Sequence, residues 1–203
     1  SDRIINPDDT VLAEYRGHMR EYKSRTRALN KLKKAAATTE DGLNIELLAN
    51  IESTEDIKQL HGAGADGVGL FRSEYLYLNR DTLPTEDEQY EVYSTLIKKL
   101  KGKQLTIRTV DLGVDKNPRW FGQNATPNGS LNPALGLTGI RLCLAEPVMF
   151  RTQMRAILRA AAHGKVNMMW PMVASLTELR QCIVHFETAK RQLAERGEEY
   201  GEV

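Results

Sequence analysis

Cysteine is nearly missing from this chain: Cys143 and Cys182 are the only two among 203 residues. Neither has C-x-x-C spacing or a nearby histidine pair, which excludes a disulfide framework and a cysteine-ligated zinc site. Both are expected as reduced, partly buried thiols. No apolar run approaches the roughly 18 residues of a membrane span, and no charged-then-apolar leader is visible. A cytoplasmic location without membrane insertion is the expectation. An excess of one charge is also lacking, with 28 basic and 27 acidic side chains and a net charge of +1. Nucleic acid and anionic membranes are therefore not expected as partners, and any anion site has to be local. The four histidines, His18, His61, His163 and His185, have no ligand or triad spacing and are read as structural or solvated.

What is present is the composition of one globular α/β domain, with 41% hydrophobic and 27% charged residues. Val11, Leu12, Tyr15, Met19, Tyr22, Leu29 and Leu32 recur near a helical period. They predict one long amphipathic helix from Pro7 to about Lys34, with Asn6 as its N-cap and Thr38 to Gly42 as the following turn. Strand and helix patterns then alternate. Strands are expected at Leu43 to Ile51, Gly67 to Phe71, Gln104 to Asp111 and Val166 to Met172. Helices are expected at about Thr54 to Gly62, Glu86 to Leu100, between Ala134 and His163, and Ser175 to Arg196. Such alternation predicts a parallel sheet. The four strands are about half of a (β/α)8 barrel, or else a small open sheet complete in itself.

Two strands end in arginine. One runs through Gly67-Val68-Gly69-Leu70-Phe71 into Arg72, the other through Leu105-Thr106-Ile107 into Arg108. Carboxyl ends of parallel strands are where α/β folds bind ligands, and a guanidinium fork makes paired, charge-assisted hydrogen bonds to phosphate or carboxylate. Arg72 and Arg108 are the candidate clamp for a small anion. The competing reading pairs each with a neighbouring carboxylate, Glu74 or Asp111. Asn50, at the end of the first strand, either hydrogen-bonds a substrate carboxylate or caps the next turn.

The run GADGVGLFRSEYLYLNRDTLPTEDEQY, followed by IRTVDLGVDK, resembles the phosphoenolpyruvate-binding domain of enzyme I of the bacterial sugar phosphotransferase system. The resemblance runs from about Asn6 to Val203. It implies a linker helix at 1–40 and, at 41–203, the N-terminal half of a phosphoenolpyruvate-binding (β/α)8 barrel, with Val203 falling where the family begins its fifth strand. The parent enzyme is expected to move the phosphoryl group of phosphoenolpyruvate to its own histidine and then to a phosphocarrier protein. Arg72 and Arg108 are expected to grip the phosphate, with Lys116 approaching the substrate. Mg2+ is expected to be held by residues beyond Val203, so this part alone should not turn over.

Departures from the family pattern are Val114, where a second glycine is usual, Thr138, where an arginine is common, and the insertion Trp120 to Leu131. They fit a divergent paralogue. The rival expectation is non-enzymatic: a phosphoenolpyruvate-binding sensor or a dimerisation module. Exposed edges of a half barrel lead to an expected homo-oligomer.

Overall fold

The structure, a computed structural model, describes residues 7–112 and 137–203. Val114, Lys116 and the insertion Trp120 to Leu131 lie outside the described residues, as does Asn6. Helix α1 spans Asp9–Leu32 and is followed by β1 (Leu48–Ile51), α2 (Ile57–Ala63) and β2 (Gly67–Arg72). A single 3-10 turn at Ser73–Leu76 leads to α3 (Glu86–Leu100) and β3 (Leu105–Arg108). After the undescribed segment come α4 (Ile140–Ala145), α5 (Pro147–Ala161), β4 (Val166–Met169) and α6 (Leu176–Glu195).

The strands form one parallel sheet in the order β1-β2-β3-β4, as the alternation predicts. Side chains alternate across a strand, so each strand feeds both faces. Ile51, Phe71, Leu105, Ile107 and Val166 are buried in the hydrophobic core, while Asn50 and Asn167, on the other parity, are exposed. Helix α3 packs on α5, and α5 on α6. Gly69 lets β1 and β2 come together, since a Cβ there would lie 2.8 Å from the Leu48 Cβ.

Several boundaries follow from side chains that intercept backbone donors. Helix α1 begins at Asp9 because the carboxylate of Asp8 accepts from the Val11 N–H at 2.8 Å, which corrects the expected Asn6 cap and Pro7 start. Helix α2 starts at Ile57, later than the expected Thr54. Asp56 Oδ2 accepts from the N–H groups of Glu52 and Ser53, holding a turn there, each at 3.0 Å. Helices α3 and α6 carry reciprocal capping boxes, Thr85 with Glu88 and Ser175 with Glu178. Strand β1 is shorter than the expected Leu43 to Ile51, because Thr38 and Asn44 form a small antiparallel bridge around Gly42 instead.

Helix α1 buries none of its side chains. No helix among the described residues is long and apolar enough to cross a membrane.

Candidate functional site

Strands β2 and β3 pair so that Arg72 lies directly opposite Arg108. Both side chains share one face of the sheet, at the carboxyl ends of the strands. They line a cavity of about 410 Å3 with Glu52, Glu74, Tyr75, Leu78 and Asp111. That is within the usual size of a small-molecule site, roughly 300–1,000 Å3.

Each guanidinium is held by a carboxylate. Arg72 Nη1 donates to Glu52 Oε1, a contact between two substantially exposed side chains. Arg108 is more enclosed. Its Nη2 donates to Glu74 Oε1 at 2.9 Å, and its Nη1 lies 3.1 Å from Asp111 Oδ2. Glu74 Oε1 also accepts from the Asp111 N–H at 2.9 Å, closing the group into a ring. Among the described residues, the buried Arg108 Nε has no hydrogen-bond partner.

The two cations thus do not face each other uncompensated. Glu74 and Asp111 orient Arg108, but the partner of Arg72 is Glu52, which the sequence reading passed over. Glu52 stands in the turn just beyond β1 and lines a cavity with Asn50.

Asn50 sits next door. It lines a separate cavity of about 480 Å3 with Asp56, Gln59, Glu52 and Arg72. Only Glu52 and Arg72 belong to both cavities, and they form the partition between them. Thr138 is buried; its hydroxyl points to Met172 Sδ at 3.2 Å. Lys116 lies outside the described residues.

Tyr75 closes one side of the clamp cavity. Burial, with the Glu55 charge adding to it, pushes its phenol up to about 12, so it is a neutral hydrogen-bonding group at ordinary pH. Three histidines have structural partners: His61 bonds the Lys99 carbonyl, His163 the Tyr90 hydroxyl and His185 contacts Arg151. Both cysteines are free and buried. Among the described residues no group of three His, Cys, Asp or Glu side chains could hold a metal ion. Glu74 and Asp111 are already committed to Arg108 and do not form a Mg2+ cage.

The whole chain has relatives. The chain is 48% identical over 198 residues to the phosphoenolpyruvate-protein phosphotransferase of Cupriavidus necator, covering 97% of this chain and 33% of that protein. The enzyme of the same name from Staphylococcus carnosus is 41% identical over 198 residues, covering 98% of this chain and 34% of its own length. That of Geobacillus stearothermophilus is 41% identical over 194 residues, at 96% and 33%. The chain therefore spans about a third of the length of the curated relatives it matches. The family described as PEP-utilising enzyme, PEP-binding domain, matches residues 26–203. With strands, register and relatives in agreement, the chain belongs to the PEP-binding domain family of PEP-utilising enzymes.

Proposed function

We propose that this chain is the phosphoenolpyruvate-binding portion of a phosphoenolpyruvate-protein phosphotransferase, with Arg72 and Arg108 as the phosphate clamp. The observation that carries the reading is the pairing of Arg72 opposite Arg108 over a cavity of about 410 Å3.

On this reading an incoming phosphate takes over donors now given to Glu52, and Arg108 reaches it while Glu74 and Asp111 keep the guanidinium in place. Two arginines lower the negative charge on the phosphoryl oxygens, which is the main service a protein renders to phosphoryl transfer. The P–O bond to the enolpyruvate breaks as a histidine nitrogen takes the phosphorus. That histidine, and the phosphocarrier protein to which it passes the group for sugar uptake or its control, are assigned to regions outside this chain. Lys116 adds positive charge, and Asn50, beyond the Glu52–Arg72 partition, meets the substrate carboxylate once the ligand opens that pair. Mg2+ is assigned to ligands outside the described residues.

The same reading makes 1–40 a linker and 41–203 half of a (β/α)8 barrel. Exposed Met172, Leu176, Ile183 and Val184 support self-association of the chain.

The test is calorimetric titration of the chain with phosphoenolpyruvate, beside Arg72→Ala and Arg108→Ala. Losing one charged, bidentate contact costs about 1.5–3 kcal/mol, so each variant should bind roughly ten- to a hundredfold more weakly. Equal binding by all three proteins would refute the clamp.

A second reading, an anion sensor without catalysis, draws on the ion pair that already occupies Arg72. Transfer of labelled phosphate from phosphoenolpyruvate to a histidine of the full-length protein separates the two. A sensor binds without becoming labelled.

A further inference from the structure

Behind the clamp lies a polar chain that the pairing of Arg72 with Arg108 leaves unexplained. Gln153 stands on the apolar face of α5, beside Phe150, Met154 and Ile157, and is fully buried. A primary amide in such a place is costly unless its atoms are bonded. Both of them are. Its Oε1 accepts from the Val110 N–H at 2.9 Å. Its Nε2 donates to Ser73 Oγ at 2.9 Å and to the Tyr93 hydroxyl at 3.2 Å.

Ser73 then donates to the Arg108 carbonyl at 2.7 Å. The Tyr93 hydroxyl donates to Gln89 Oε1 at 3.2 Å, which also accepts from Tyr77 at 3.0 Å. Every hydroxyl hydrogen in this chain is used once, so the direction of each bond is fixed. Burial pushes both phenols well up, which keeps them protonated as donors.

The consequence for Arg108 is specific. Its own carbonyl is held by Ser73, and the backbone two residues on is held by Gln153. The neighbour of Ser73, Glu74, takes the guanidinium. Main chain and side chain are therefore gripped from adjacent residues, and one glutamine on α5 backs the arrangement.

We infer that Gln153 is a positioning residue that, acting through Ser73, sets the direction in which Arg108 presents its guanidinium to a phosphate or carboxylate ligand. The inference rests on the clamp reading for its ligand, but its geometry can be tested without one.

The experiment uses the chain labelled with 15N-arginine, as wild type, Ser73→Ala, Gln153→Met and, as a buried core control near the C-terminal end of α6, Leu193→Ala. Ser73→Ala removes a single hydroxyl and keeps the inference testable if Gln153→Met does not fold. The Arg108 Nε–H resonance, assigned by its loss in Arg108→Ala, should shift or broaden in Ser73→Ala and Gln153→Met. That of Arg72 should stay in place, and Leu193→Ala should move neither. Phosphoenolpyruvate affinity should fall at least fivefold in the first two variants and not in the control.

An unmoved Arg108 resonance in Ser73→Ala overturns the inference, whether or not the chain binds. So does unchanged affinity in Ser73→Ala and Gln153→Met when Arg108→Ala abolishes binding. If Arg72→Ala and Arg108→Ala leave binding intact while Ser73→Ala moves the Arg108 signal, the positioning role stands and the clamp reading fails. If wild type takes up no phosphoenolpyruvate, the resonance comparison alone decides.

Discussion

Arg72 and Arg108 stand directly opposite each other on adjacent parallel strands, yet their counter-ions come from different places and are enclosed to different degrees. Arg72 shares an exposed contact with Glu52, which follows β1. Arg108 is locked to Glu74 and Asp111 in the interior of the cavity. An anion entering the site therefore meets one arginine that must be released from its partner and one already set.

Glu52→Gln should tighten the site. An exposed ion pair is worth about 0.2–1 kcal/mol, so removing the competing carboxylate should improve phosphoenolpyruvate affinity by roughly 1.4- to fivefold. Folding stability should change by no more than about 0.5 kcal/mol. Calorimetry with parallel thermal melts checks this, and weaker binding would show that Glu52 assists the ligand.

Gly139 touches the same site from below. Its φ is +52°, and a Cβ would lie 3.0 Å from Asp111 Oδ1 and 3.3 Å from Met172 Sδ. With ψ −125° beside φ +52°, Gly139 lies outside the left-handed helical region in a conformation essentially reserved for glycine, so Gly139→Ala should lose about 1–3 kcal/mol and also displace Asp111 from Arg108. Gly102, at φ +87° with open space around it, is the natural control. Gly102→Ala should also lose some stability in thermal melts but bind phosphoenolpyruvate as wild type does.

Acid should loosen the helical layer through Glu86. Burial alone would raise this carboxyl, but Arg155 above all, with Arg196 and Arg159, outweighs burial and leaves it below its ordinary 4.5. A depressed folded-state value means the stabilisation is complete above the unfolded value and is lost as pH falls through the folded one. Glu86→Gln should cost about 2 kcal/mol near neutrality, since Arg155, 2.6 Å from Glu86, loses its charged partner. The variant's urea midpoint should depend less on pH below about 4.5 than wild type's.

Both cysteines should be inert in the folded protein. Burial pushes the Cys143 thiol far up, and burial with Glu178 raises Cys182 to about 11. A disulfide reagent at pH 8 should react with both in urea and only slowly with native protein. Fast labelling of the native chain would show that α4 or α6 opens readily.

Much of the fold was legible because its signals are local. Thr85 and Glu88 announce α3, which begins at Glu86 as expected, and Ser175 with Glu178 do the same for α6. The arginine-ended strands placed the candidate clamp for the same reason. The end of β3 was harder to read. An apolar run to Asp111 looks like strand, but the Val110 N–H goes to Gln153 and the Asp111 N–H to Glu74, so the ladder stops near Arg108. Gln153 itself lies 43 residues from Val110 and sits within an amphipathic helix pattern. Only a polar residue on an apolar face hinted at it, and nothing local could name its partner. Glu52 lies in the turn just after β1, and its contact with Arg72 depended on the register between β1 and β2.

Helix α5 follows β3 in the chain, although it supplies the amide that secures the segment after Arg108. Strands β1, β2 and β3 can therefore pair before the arginine acquires its final backing. During synthesis the sheet can assemble in order as it emerges, while a fully aimed Arg108 has to wait for α5 to dock. On the clamp reading, anion recognition at this position is a late event of folding. Partly folded chains can contain both arginines on paired strands and still lack the geometry that the finished protein presents.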